Sequence, residues 1–402
     1  MKLKSLVLGF MAVFAISCAA NNGVKNQDLI QQVEQEIAQV AERYKAVGLA
    51  VAAVKDGQIV YNASFGYKDW ENKIPLGNDD VLRIASISKS FVATSILQLV
   101  EQGKLSLDAD VSDLMGFVIR NPKYPQTPIT VRMLLSHTSS MSDSNGYFTF
   151  DNLHREKSST WEKAWNSYEP GSKDQYCNLG YNTLGAIIEI VSGERFDQYV
   201  SEHILKPLGV YGHHNVMELD PERFIKIYKY SGSGNGSGSS ADGSSDGSAY
   251  TCTASAYNSP AAELENYQMG YSTTVFSPTG GLKISAKDLA KVMMMHMNYG
   301  TLGDVKILGK EMCELMQSEI VPTNYPQEKY GMAILQSNDY IKGIRVIGHD
   351  GIALGAYTSM FWNQTRDFGV VVMTNGCDDK TDKVFANIMC ETAEVLYKYL
   401  DK

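Results

Sequence analysis

The chain has 402 residues, 44% of them hydrophobic and 20% charged, a balance that fits a globular protein with room for a large core. Its 36 Lys and Arg against 45 Asp and Glu leave a net charge of -9, and no Lys/Arg-rich run occurs. Nucleic-acid binding, which needs a basic face, drops out as a function class.

At the N-terminus, Met1-Lys2-Leu3-Lys4 is a short basic start, residues 6–16 are apolar, and the small Ser17 precedes Cys18. This reads as a signal peptide over residues 1–17, too short to span a membrane as a mature helix. Ala15-Ile16-Ser17-Cys18 resembles a bacterial lipoprotein signal, whose cleavage would expose Cys18 for lipidation; a plain secretory signal is the other reading. The expectation is a lipid-anchored protein of the bacterial envelope, facing the periplasm, with residues 18–45 forming the anchored segment and first helix. Beyond Cys18 stand Cys177, Cys252, Cys313, Cys377 and Cys390, an odd number at spacings that match no zinc pattern. Cys377 with Cys390 is a candidate disulfide, and burial as small hydrophobes is the plainer reading.

Residues 26–45 carry Ile30, Val33, Ile37, Val40 and Tyr44 at helical spacing. Two apolar runs, 47–54 and 58–65, meet at Lys55-Asp56-Gly57, a hairpin signal. In 84–105 the residues Ile87, Phe91, Ile96, Leu99 and Val100 predict a helix with one buried face, stopped at Gly103. The middle of the chain, 105–342, mixes helices such as 182–191 and 289–297 with turn-rich connections. Within it, 231–249 is a Gly/Ser-rich insertion that cannot bury enough apolar surface to order itself. Gly243-Ser244-Ser245-Asp246-Gly247 in that insertion matches G-x-S-x-G, but lacks the strand before and the helix after that the motif requires.

Strands return at 344–349, 356–362 and 368–374, followed by a closing helix over 382–399 with Val384, Ile388, Val395 and Tyr399 on one face. The predicted fold class is α/β (α+β): an antiparallel sheet formed by both termini and flanked by helices, a mostly helical lobe, and a site in the cleft between them. Residues 46–375 form the main domain, and 376–402 its C-terminal helix.

Lys89 is the residue this pattern does not explain, because an ammonium group is almost never buried without a partner. Ser86 lies three residues earlier, on the same helix face. A desolvated lysine of lowered pKa can take the proton of a serine hydroxyl, and a helix N-terminus stabilises the oxyanion that then forms. The plainer reading of this helix alone is an exposed lysine beside a capping serine. Ser-x-x-Lys occurs once, as do Tyr-x-Asn, at Tyr176 and Asn178, and His-x-Gly, at His349 and Gly351.

With these three motifs in order, the chain resembles the serine β-lactamase and D,D-peptidase (penicillin-binding protein-like) superfamily, in the class C-like branch that includes D-aminopeptidases and esterases. Leu134-Leu135-Ser136-His137-Thr138-Ser139, Lys206-Pro207-Leu208-Gly209 and Ser277-Pro278-Thr279-Gly280-Gly281-Leu282 extend the match. The resemblance implies that Ser86 is the nucleophile, Lys89 its activating partner, and Tyr176 a proton shuttle with its phenolate stabilised by Lys89. It places Asn178 against the substrate amide and Lys89, and His349, Asp350 and Gly351 on the substrate-binding strand. The N-H of Ile352 joins that of Ser86 in an oxyanion hole. No cofactor and no metal are called for.

Ser142-Asp143-Ser144-Asn145 resembles Ser-Asp-Asn with one residue too many and reads as loop; His137 reads as a hydrogen-bonded structural residue; His213-His214 lacks a third metal ligand. Asp350 is the informative departure, since it sets a carboxylate where relatives offer a hydroxyl and a positive charge to a substrate carboxylate. Either the substrate lacks a carboxylate there, or Asp350 points out of the cleft or pairs with a Lys or Arg. The first favours a peptidase, amidase or esterase acting on a small-molecule or peptide substrate. The alternatives are a β-lactamase or D,D-carboxypeptidase, and an acylable sensor that does not turn over.

Overall fold

A computed structural model of the chain describes residues 25–232, 249–318, 320–322, 328–382 and 384–401. The expected signal peptide, Cys18 and all but the ends of the 231–249 insertion, including its G-x-S-x-G match, lie outside the described residues.

Helix α1 (Lys25–Arg43) leads into strands β1 (Gly48–Lys55) and β2 (Gln58–Asp69). Between them Asp56 and Gly57 both take left-handed backbone, with φ of 49° and 72°, the geometry of a two-residue type I′ hairpin turn. The helical lobe follows, built on α2 (Ser88–Glu101), α3 (Asn178–Ser192) and α4 (Ala286–Met297). The chain then returns as β3 (Leu335–Ile341), β4 (Ile344–Ala353), β5 (Ala356–Asn363) and β6 (Phe368–Thr374), and closes with α5 (Asn387–Leu400). β4 runs four residues beyond its predicted end, through the His349 motif, and α5 begins later than predicted.

These strands form one antiparallel sheet of nine in the order Val321–Pro322, Glu328–Tyr330, β3, β4, β5, β6, β1, β2, Ile74–Pro75. Both termini thus build it, with Leu49 of β1 paired to Phe65 on one side and to Thr374 of β6 on the other. Alternation sorts the core: Leu49, Val51, Val370 and Val372 face α1 and α5, while Ala50, Ala52, Val371 and Met373 face α4 and the helical lobe. The pairing of β3 with β4 reaches only to Leu335 opposite Gly348, so the β3-side edge of residues 349–353 has no partner in β3.

Helix α2 departs from the one-faced helix expected, since every residue from Ser88 to Leu99 is buried. The side that looked polar is made of hydroxyls that turn back onto their own helix. Ser90 donates to the Ile87 carbonyl at 2.7 Å, Thr94 to Ser90 at 2.7 Å and Ser95 to Phe91 at 2.8 Å, so small polar residues enter the core without unmet hydrogen bonds. None of the five cysteines among the described residues is in a disulfide, so the expected Cys377–Cys390 pairing is not formed.

Near the end of α3 the buried Glu189 carboxylate gathers four donors: the Phe196 N-H at 2.8 Å, the Gly270 N-H at 2.7 Å, the Thr273 hydroxyl at 2.6 Å and the Tyr267 hydroxyl. It ties α3 to the segment that runs into Ser277–Gly281. Glu189→Leu strands those donors in the core and is expected to cost roughly 3 kcal/mol or more in urea unfolding, with Glu189→Gln, which keeps one acceptor oxygen, losing less.

Candidate active site

Ser86 sits in the 3-10 turn Ala85–Ile87 that feeds α2. Lys89 lies in the first turn of that helix and is 0% exposed. Its Nζ donates to Ser86 Oγ at 3.1 Å and to the Thr279 carbonyl at 2.8 Å, and stands 4.8 Å from the centre of the Tyr176 ring. Among the described residues no carboxylate lies within 4 Å of it. Loss of hydration therefore dominates and brings the Lys89 pKa down to about 7, against the opposing pull of Asp143, Cys177 and Asp350. A large fraction of Lys89 is then a free amine at neutral pH, next to the serine hydroxyl.

The Tyr176 phenol lies on the same side, its ring beside Lys89 Nζ and its hydroxyl influenced by Ser86, so an amine and a phenol both flank the serine. The residue is 37% exposed overall, but its ring packs against His137 with centroids 4.2 Å apart and its hydroxyl is shielded from water. That burial pushes the Tyr176 pKa well above its usual 10, opposite to the phenolate expected from sequence. That direction favours the phenol over the phenolate at rest.

Asn178 opens α3, and its side-chain amide donates to Asp143 Oδ2 at 2.8 Å. The oxygen of that amide accepts from the Thr279 hydroxyl, and the Thr279 carbonyl holds Lys89, so Asn178 reaches Lys89 through Thr279. Asp143 is the residue that sequence reasoning set aside as loop. Its carboxylate accepts the N-H groups of Asn178 and Leu179, each at 2.9 Å, and so caps α3 from 35 residues away. Arg83 anchors the Thr279 loop from the other side, its Nε donating to the Gly280 carbonyl at 2.7 Å.

Strand β4 closes the site. Gly351 packs against the Ser86 turn so tightly that a Cβ there would lie 2.3 Å from the Ile84 carbonyl and 2.9 Å from the Ser86 nitrogen. His349 points to the same side, where its Nδ1-H donates to the Asp350 carbonyl and its Nε2 accepts from the Tyr330 hydroxyl at 3.2 Å. Burial, reinforced by Lys89, brings the His349 pKa down to about 3 and keeps the ring neutral. Tyr330, on a short strand without any motif, carried no sequence signal. Asp350 alternates to the other face with its partner Ser359, whose hydroxyl meets that of Tyr340. It forms no ion pair with Lys or Arg among the described residues, and burial raises its carboxyl to about 6. Ile352 is 52% exposed at the strand's open edge.

A serine hydroxyl, a dehydrated amine, a phenol and a tightly packed strand edge meet here, an arrangement chemically able to support acyl transfer through serine. The Beta-lactamase family model matches residues 33–388, and the chain belongs to that family, one of serine hydrolases. Protein flp of Staphylococcus aureus (strain MW2) is 29% identical over 185 residues, 45% of this chain and 37% of that protein. The chain thus spans less than half the length of that curated relative. The octameric penicillin-binding protein homologue from Pyrococcus abyssi superposes with a TM-score of 0.70 at 26% identity, over 93% of this chain and 78% of that one. D-amino acid amidase from Ochrobactrum anthropi SV3 gives a TM-score of 0.70 at 20% identity, over 93% of this chain and 99% of that one, a likeness of fold.

The fit of β4 against the Ser86 turn gives a direct check. Gly351→Ala is expected to displace the turn and slow acylation of Ser86 by an activated ester about 100-fold. Ile352→Ala, at an exposed side chain, should leave the urea midpoint unchanged within about 0.5 kcal/mol.

Proposed function

We propose that the chain is a serine hydrolase that cleaves an amide, peptide or ester bond through an acyl-enzyme on Ser86, most readily as a peptidase or amidase. The observation that carries this reading is the dehydrated Lys89 amine donating to Ser86 Oγ at 3.1 Å, with the Tyr176 ring 4.8 Å from the same amine. As Ser86 Oγ bonds to the substrate carbonyl carbon, its proton passes to Lys89 Nζ and the carbonyl electron pair moves onto oxygen. The N-H groups of Ser86 and Ile352 receive that oxyanion. On collapse the C-N or C-O bond breaks, and the leaving group takes a proton from the Tyr176 hydroxyl, which is replenished from Lys89. Water then repeats the sequence to release the acid.

Substrate preference follows from β4. His349 is neutral with both ring nitrogens engaged, and Asp350 turns to the other face of the strand. No side chain of residues 349–352, beside the Ser86 turn, is a cation, which supports a substrate that is neutral or carries an amine there, rather than a penicillin or a free D-Ala-D-Ala end. Attachment to the bacterial envelope through Cys18 is part of the same proposal, and labelling with radioactive palmitate that persists in Cys18→Ser would overturn it.

The first test compares a peptide ending in D-Ala-D-Ala with the same peptide capped as a C-terminal amide. Cleavage favouring the capped peptide, lost by at least about 1000-fold in Ser86→Ala, is the expected result. Release of D-alanine from the free acid alone would reverse the preference, and a burst of acylation without turnover would make the protein a sensor. Because Lys89 must be the free amine to accept a proton, kcat/KM should rise with pH and level off above about 7.

Lys89→Met separates function from stability. The folded pKa of Lys89 lies below its unfolded value of about 10.4, so the unfolded chain binds more protons between those limits and stability rises with pH across that window. Lys89→Met should lose acylation, lose that pH dependence, and unfold at a higher urea concentration than the wild type at pH 6.

A further inference from the structure

His137 follows the short helix Val131–Leu135 in the position that ends a helix with left-handed backbone, with a φ of 59°. Glycine is the usual occupant there and asparagine the next, because a Cβ is strained in that conformation. A histidine at such a point, 2% exposed, calls for a reason.

Its contacts supply one. The His137 carbonyl accepts the N-H of Gln175 at 2.9 Å, and its Nδ1 accepts the N-H of Cys177 at 3.1 Å. These bonds grip the chain immediately before and after Tyr176. The imidazole also lies against the Tyr176 ring, with centroids 4.2 Å apart and planes at 38°. Residues 174–177 belong to no helix or strand, so regular structure does not hold Tyr176. Since Nδ1 accepts, the neutral ring carries its proton on Nε2, which is buried without a hydrogen-bond partner beside the rings of Tyr181 and Tyr330. No hydrogen bond links His137 to Ser86 or Lys89 among the described residues.

We propose that His137 is the positioning residue for Tyr176: its carbonyl and Nδ1 fix the backbone on both sides of Tyr176 and its ring backs the phenol, keeping the hydroxyl near Ser86. This rests on the reading of Ser86 and Tyr176 as an acyl-transfer pair. A histidine that only ended its helix and filled the core would have no need to meet Tyr176 on both flanks.

The test is a double-mutant cycle on the single-turnover acylation of Ser86 by a p-nitrophenyl ester, run well below each variant's unfolding midpoint. His137→Ala should slow acylation about 100-fold in the wild-type background and less than about threefold when Tyr176→Phe has already removed the hydroxyl. His137→Asn, which tolerates left-handed backbone and offers an oxygen near the place of Nδ1, should recover at least about tenfold of that loss. His137→Phe keeps a ring without the acceptor, and should be slower than His137→Asn; this pair decides the matter if His137→Ala does not fold. Equal slowing in both backgrounds, or His137→Phe matching or exceeding His137→Asn, would overturn the proposal. Unchanged hydrolysis by Ser86→Ala would instead overturn the acyl-enzyme reading on which it rests.

Discussion

The site depends on one uncomfortable burial, that of the Lys89 amine in a core with no carboxylate within reach among the described residues. Ammonium groups are hydrated strongly, and taking one out of water without a counter-ion destabilises the fold. The surroundings give Lys89 only neutral partners: a serine oxygen, a backbone carbonyl and the faces of Tyr176 and Tyr181. A carboxylate in contact would relieve the strain but hold the proton on nitrogen. Asp143 is kept one step back, spending its oxygens on the start of α3 and on Asn178, where it moderates the lysine without neutralising it. Burial thus weakens the amine as a base but leaves much of it unprotonated near neutral pH, where it is open to a proton and holds one loosely.

That dryness accounts for much of the architecture around it. Helix α2 is buried on all sides because a solvated face would rehydrate Lys89, and its hydroxyl residues meet their needs internally. The sheet contributes its long strand β4, pressed against the Ser86 turn at Gly351, where the absence of a side chain lets backbone meet backbone. The two lobes therefore share the site, the helical one supplying the reactive groups and the sheet an open edge.

Much of this was legible in the sequence where the chemistry is local. Ser86 and Lys89 are three residues apart, Tyr176 and Asn178 two, and the hairpin at Asp56-Gly57 follows from residues that accept left-handed backbone. What escaped depends on partners distant in the chain. Asp143 caps a helix 35 residues on, and the one available hint was negative: Cys177, which precedes α3, has no capping side chain of the usual kind. Tyr330 matters only because the sheet brings it to His349. The direction of Asp350 hinged on which face of β4 meets the helices, and alternation alone does not fix that. The phenolate expected of Tyr176 runs against the direction of its pKa, because the same burial that lowers a lysine raises a tyrosine.

The pairing of β1 with β6 also bears on how the molecule assembles. The β1–β2 hairpin is made about 300 residues before β6, yet the open edge of β1 is satisfied only by that strand. Contacts of such sequence separation are formed late, since the loop entropy must be overcome before the pairing rewards it. Until then the hairpin presents a bare strand edge and an uncovered apolar face, the combination most prone to pair with another chain. Truncation near the C-terminus should therefore do more than remove a helix: it turns the β1–β2 hairpin into an adhesive surface.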